Sequence, residues 1–352
     1  MDNQLIFKEL KDINLSDCFF DSLRADYVGF DNWFQKKADE GRKAFIFEFN
    51  SQLNGFLFLK SEIDMPIMDT IPNLPSKRWL KIGTFKINPH GTRLGERFLK
   101  KILDSAFRYS IEAVYVTVFP KHDALIALFK KYGFEEKATK ITNSETELVL
   151  VKDLWGVKND ILLDYPKFNT IDNNKFLLAI YPEYHKHLFP DSILNNETYD
   201  DILDISHTNS IEKVYICSMD CSNLRRGDAV LIYRTSDKLG PAHYRSVVTS
   251  VCIIEEIKSR RNFSSLEDYL TYCESFSVFN RQELTDWYNK KERLFVIKMV
   301  YNGAFKKRIT RGNLISNVGL NSEDRWGVYP LTNDQFNQII KQGNVYESLI
   351  IN

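Results

Sequence analysis

The sequence predicts an α/β (α+β) chain folded as two domains, and three observations lead there. Its 352 residues are more than one ordinary domain holds. In the first half, a broad amphipathic helix stands between strand patterns. In the second half, β-branched runs separated by turns describe a small β-barrel with helices attached.

Residues 16–37 read as helix, with Phe19, Phe20, Phe30, Trp33 and Phe34 on an apolar face and Ser16 and Asp17 as caps. Residues 44–49 and 55–60 form a hairpin around the turn-rich 50–54, and Pro66, Pro72 and Pro75 mark an extended loop. Residues 79–88 are a strand, and 89–95 a loop with two glycines. Over 94–109 the apolar residues Leu94, Phe98, Leu99, Ile102, Leu103 and Ala106 make one stripe, which fixes an amphipathic helix. AVYVTVF (113–119) is a strand covered on both sides, 123–132 a helix ended by Gly133, and 147–154 a closing strand. The polar residues 156–173 read as a linker between domains 1–155 and 174–352.

Beyond the linker come strands at 176–180, KVYICSM, RRGDAVLIYR after a Gly227-Asp228 turn, RSVVTSVCIIEEI and RLFVIKMVY. Residues 264–290 read as helical, and 304–314 end the barrel pattern. His185 and His187, two apart, fall on different helix faces and are poor joint metal ligands.

Composition narrows the function. Lys+Arg and Asp+Glu both number 47, so no overall field attracts polyanions and any nucleic-acid surface is a local patch. The five cysteines include no CxxC pair, so buried reduced thiols are expected rather than a zinc site. The start, MDNQLIFKEL, lacks the regions of a signal peptide, and no apolar run approaches the ~18 residues of a membrane span; a cytoplasmic protein is expected.

The segment INPHGTRLGERFLKKIL runs strand, glycine-containing loop, helix. Loop and helix amides converge on one point, where the helix dipole favours phosphate oxygens. Gly91 and Gly95 let the backbone approach a ligand closely, and Arg93 offers a charged contact. A plain glycine turn capping a helix fits the same residues. The dinucleotide fingerprint GxGxxG is missing.

His90-Gly91-Thr92-Arg93-Leu94-Gly95 resembles the acyl-CoA loop of the GNAT N-acetyltransferases, Gln/Arg-x-x-Gly-x-Gly/Ala, with His90 and Arg93 as departures. HDALIALFKKYGF resembles that family's Asn-x-x-Ala-x-x-Leu-Tyr-x-x-x-Gly-Phe, with His122 at the Asn position, Gly133-Phe134 matching, and Phe129 where many members carry the tyrosine that protonates the leaving thiolate. The resemblance covers about residues 5–154. It implies a mixed sheet flanked by helices and acetyl-CoA as cofactor. It also implies a binding site of His90, Gly91, Thr92, Arg93, Leu94, Gly95 and Glu96, with pantetheine against the backbone of Phe85, Lys86 and Ile87 and near His122. Tyr132 is a substitute acid, or a core residue; His122 is a proton relay, a cap or a pantetheine contact. Lys81 and Lys86 attract the acidic cofactor or substrate.

LLAIYPEYHKHLF, LRRGDAVLIY, FNRQELTDWY and FKKRITRGNL resemble the PUA-like superfamily, ASCH and EVE domains above all, over about residues 174–344. The Gly-x-Lys-x-x-Glu-x-Arg signature of ASCH domains is replaced by residues 190–197. This resemblance implies a β-barrel with RNA or tRNA as partner. Arg225, Arg226, Lys258, Arg260, Arg261 and Lys306, Lys307, Arg308 and Arg311 would then supply charge, and Tyr233, Tyr244 and Trp326 stacking. The expected function is N-acetyl transfer to an amine on RNA, on an aminoacyl-tRNA or on an RNA-associated protein. The alternatives are a non-catalytic acyl-CoA-sensing regulator that binds nucleic acid, and a small-molecule acetyltransferase whose second half is structural.

Overall fold

A computed structural model describes residues 5–49, 52–88, 91–142, 145–192, 194 and 204–351. The chain divides into two compact units, Met1–Lys158 with Tyr199–Asp204, and Asn159–Thr198 with Ile205–Asn352.

The first unit contains β1 (Ile6–Glu9), α1 (Asp21–Asp26), α2 (Phe30–Asp39), β2 (Lys43–Phe49), β3 (Gln52–Ile67) and β4 (Leu74–Ile87). It continues with α3 (Leu94–Arg108), β5 (Ala113–Val118), α4 (Asp123–Lys131), β6 (Glu135–Thr142) and β7 (Glu145–Asp153). The strands form one sheet in the order β1-β2-β3-β4-β5-β7-β6, antiparallel except for the β4–β5 pair. One face packs on α1 and α2 through Phe20, Phe30, Phe34, Phe56 and Phe58. Burying such a side chain stabilises by ~1.5–3 kcal/mol each. Lys101 and Arg97 of α3 lie over the Phe45 and Phe47 rings of β2, which places α3 on the opposite face.

Several expectations shift. The helix expected over 16–37 is broken: α1 ends at Asp26 with extended Tyr27 as its C-cap, and α2 starts from Gly29, whose φ is +85°. Pro66 and Pro75 are not loop residues: they sit near the ends of β3 and β4, where a strand tolerates a missing N–H. β1 and β6 were not anticipated.

The second unit contains β8 (Phe168–Asn169), β9 (Lys175–Ile180), α5 (Pro182–Leu188), α6 (Ser206–Asn209), β10 (Glu212–Cys217), β11 (Ala229–Arg234), α7 (Ala242–Arg245) and β12 (Val247–Ser259). There follow α8 (Leu266–Cys273), α9 (Arg281–Lys290), β13 (Phe295–Thr310), α10 (Arg311–Ser316), β14 (Val328–Leu331), α11 (Asn333–Gln342) and β15 (Ile350–Ile351). Six strands form a mixed sheet ordered β10-β13-β12-β11-β9-β14. Its end strands β10 and β14 do not pair with each other among the described residues, so the expected barrel is an open sheet.

The expected 264–290 helix is two, because Asn280 caps a new start in a reciprocal box with Glu283. The 304–314 stretch continues β13 before α10 begins. Residues 156–173 are not a free connection. From Asn159 they belong to the second unit, Tyr165 and Phe168 are buried, and β8 pairs with β15. No helix among the described residues is long and apolar enough to cross a membrane.

Candidate functional site

Strands β4 and β5 run parallel, and their pairing covers only Trp79–Ile82 against Ala113–Val116. β4 then continues for five residues, Gly83 to Ile87, bonded to β3 alone. The backbone edge that faces β5 over this stretch has no strand partner among the described residues. A bulge begins the parting. Phe58 pairs with Thr84 and Leu59 with Ile82, so Gly83 is an extra residue on β4. A Cβ there would stand 2.9 Å from the Phe58 ring, which explains the glycine.

The bulge also shifts the alternation of β4. Phe85 stacks on Phe98 of α3 and Phe129 of α4, whereas Lys86 lies over the Phe19 ring on the α1 side. Before the bulge, Lys81 lies over the Tyr115 ring, on the same side as Lys86.

A cavity of about 880 Å³ occupies the parting. Gly83 to Asn88, Val116, Thr117 and Val118 line it, and so do Gly91, Thr92, Arg93, Leu94 and Gly95 at the start of α3. Gly91 has a φ of +80°, with open space where a Cβ would be. Arg93 holds a left-handed conformation at the α3 N-cap. At Gly95 an added Cβ would come within 2.9 Å of Leu128 on α4, so this glycine lets α3 and α4 approach. The 15-residue α3 therefore directs its positive end and first amides at the cavity. Pro89 and His90 lie outside the described residues.

Of the residues expected from sequence, Phe85, Lys86, Ile87, Gly91, Thr92, Arg93, Leu94, Gly95 and His122 meet in this one cavity. Glu96 does not line it. Its buried carboxylate pairs instead with Arg93 at 3.2 Å and Lys131 at 3.4 Å, steadying the loop. Tyr132 does not line it either: its ring is fully buried behind α4, and its carbonyl accepts a hydrogen bond from Lys152. Phe129 is also fully buried, against Phe85 and Phe134. Of the two readings of Tyr132, an acid or a core residue, its burial fits the second, because the helix turns its ring into the core.

His122 is the N-cap of α4, and its Nε2 lies 3.0 Å from Oδ2 of Asp26 at the end of α1. Lys121 donates to the other oxygen of that carboxylate. Tyr27 donates to Glu147 at 2.9 Å and Thr142 donates at 2.6 Å to the same carboxylate. Burial first, and then Glu147, keep the Tyr27 phenol protonated well above the usual tyrosine range. Sequence reading missed Asp26, Tyr27 and Glu147, all in the cavity wall. Burial lowers both Lys81 and Lys86 from the ordinary lysine value. Among the described residues, no group of three or more His, Cys, Asp or Glu side chains is placed to hold a metal ion.

In the second unit a cavity of about 710 Å³ is lined by Arg225, Arg226, Glu255, Glu256 and Cys221. Two of the three aromatic residues expected to stack bases are not offered for it. Tyr233 and Trp326 are buried against each other, with Arg311 over the Trp326 ring at 3.8 Å. Tyr244 is exposed. Lys258, Arg260 and Lys306 lie over Tyr272, Tyr288 and Tyr346.

No protein-family model and no curated protein matches the chain. Solved structures do. The ASCH protein of Zymomonas mobilis is similar at 11% identity over 47% of this chain and 94% of its own, with a TM-score of 0.34. A ribosomal-protein-alanine N-acetyltransferase of Brucella melitensis is similar at 14% identity over 43% of this chain and 99% of its own, TM-score 0.32. A GNAT family acetyltransferase of Elizabethkingia anophelis with acetyl-CoA bound is similar at 11% over 44% and 99%, TM-score 0.31. Each is a partial likeness at low identity.

Proposed function

We propose that the first unit is an acyl-CoA-dependent N-acyltransferase using acetyl-CoA. One observation carries the proposal: the β4–β5 pairing stops at Ile82, and the unpaired edge from Gly83 onward shares a cavity with the N-terminus of α3. An extended amide-bearing arm can add to that edge as a strand would, while its pyrophosphate meets the helix amides. The residues fit such a group: Gly91 leaves its surface open and Arg93 adds charge. The group supplies a thioester for transfer to an amine. The chain orients it, receives the amine from the α1–α2 face, and takes the amine proton on His122, held in place by Asp26.

Calorimetric titration with acetyl-CoA, followed by an assay for thiol release with amine acceptors, tests this. One-to-one binding with turnover is expected; no heat with any CoA thioester would remove the proposal. Binding without turnover would favour the second reading, an acyl-CoA sensor. Phe129 at the family's tyrosine position and the burial of Tyr132 support that reading.

For the second unit the proposal is RNA binding. Its support is the basic side chains Arg225, Arg226, Arg261, Lys306 and Lys307, with exposed Tyr244. Filter binding of total tRNA at low salt tests it, with Arg225→Glu expected to weaken retention.

A further inference from the structure

The basic side chains in the wall of the first unit's cavity have polar partners, with one exception. Lys86 donates to the Phe19 carbonyl, and Lys121 and His122 hold Asp26. Lys140 pairs with Asp69 at 2.6 Å, and Arg93 with Glu96. Lys81 is different. Among the described residues its ammonium makes no hydrogen bond and no ion pair, and its one close contact is the Tyr115 ring, 5.5 Å to the centroid. The nearby carboxylates are taken: Glu62 by Lys60 and Tyr115, Asp69 by Lys140. Burial, with the Lys140 charge added, depresses its affinity for a proton. A half-buried charge in such a wall is costly until an opposite charge reaches it.

The surroundings say where that charge comes from. Lys81 lies on the α1–α2 face of β4, opposite Phe85 and α3. The helix end that suits pyrophosphate is therefore on the other side of the sheet. The group that meets Lys81 enters with the acceptor. Lys140, Thr142 and Glu147 share that part of the wall, and Glu147 is already satisfied by Tyr27 and Thr142.

We propose that Lys81 binds a carboxylate of the acceptor, so that the amine acylated is a small, amino-acid-like molecule. This rests on the acyltransferase reading above. A single ammonium without an ion-pair partner of its own suits a monoanion. A peptide N-terminus or an aminoacyl ester has its adjacent carboxylate masked and would leave Lys81 unanswered. In the transfer, the amine nitrogen forms the new C–N bond as the thioester C–S bond breaks. The amine proton passes to His122, and the sulfur leaves as thiolate.

The test uses the full chain, acetyl-CoA, a set of free L-amino acids, their α-amides, a short peptide and aminoacyl-tRNA. Thiol release is followed for the wild type, Lys81→Met and Lys81→Arg, with thermal melting to confirm folding. Free amino acids are expected to be preferred over their amides. Lys81→Met is expected to raise KM for them about 10- to 100-fold, the value of a hydrogen bond to a charged group, with kcat and the acetyl-CoA KM little changed. Lys81→Arg, which keeps the charge, is expected to retain most of the preference.

Equal use of amides, preference for the peptide or the tRNA, or an unchanged KM in folded Lys81→Met would overturn this inference and leave the acyltransferase reading standing. A loss of kcat in Lys81→Arg would overturn it too, since it would make Lys81 a base. Absence of acetyl-CoA binding by the wild type would instead sink the reading beneath it.

Discussion

The larger sheet of each unit contains one parallel strand pair among antiparallel ones, and these two pairs behave differently. In the second unit β9 and β11 stay in register for their whole length, Lys175 to Ile180 against Ala229 to Arg234. In the first, β4 and β5 pair over four residues and part at a glycine bulge. Continuous pairing spends the facing edges of both strands on the sheet, and the 710 Å³ cavity of the second unit is instead lined by loop residues, the far end of β12 and the first residue of β13. Parting leaves main-chain donors and acceptors facing a cavity, where a ligand can complete them. A cavity edged by unpaired main chain is thus made by stopping a ladder early.

Variants can test that contrast. The largest effect is expected from His122→Ala, a kcat loss of about 10²-fold or more if this histidine carries the proton, measured by thiol release. Next is Ile232→Ala in the continuous pair. It is expected to cost ~2–5 kcal/mol in denaturant unfolding of the second unit while leaving acetyl-CoA affinity unchanged, which would separate packing from binding. Gly95→Phe overfills the α3–α4 approach by ~1–3 kcal/mol, so acetyl-CoA should bind about 10- to 100-fold more weakly by calorimetry.

Smallest is an acid effect confined to the second unit. Burial, helped by neighbouring cations, lowers His185 and His207 to about 3. Protons bind the unfolded chain first, so stability is full above about pH 6.5 and falls as pH drops toward 3. His185→Gln should flatten that slope in pH-dependent melting.

How much of this was legible in the sequence follows from where the signal lies. The α3 stripe and the β5 run declared themselves, because each is locally periodic and buried. β6 did not: EEKATKIT is a sheet-end strand carrying charge on its open side, without a clean alternation. Gly91 to Gly95 could be found because they form a turn into α3 at the cavity, and glycine spacing marks such a turn. Asp26, Tyr27 and Glu147 could not, since the Tyr27–Glu147 bond joins residues 120 apart. Lys81 was visible as a polar strand position, but its lack of a partner exists only in three dimensions. Tyr132 reads from sequence as an acid or as a core residue, and one turn of helix past the cavity wall puts it in the core.

The central claim concerns backbone groups, so amide hydrogen exchange tests it most directly. Exchange of the whole chain is measured with and without acetyl-CoA. The prediction is slowed exchange at the free-edge residues between Gly83 and Ile87 and from Gly91 to Gly95, with the β9–β11 pair unchanged. Saturating acetyl-CoA that left both segments of the first unit exchanging at their original rates would contradict it.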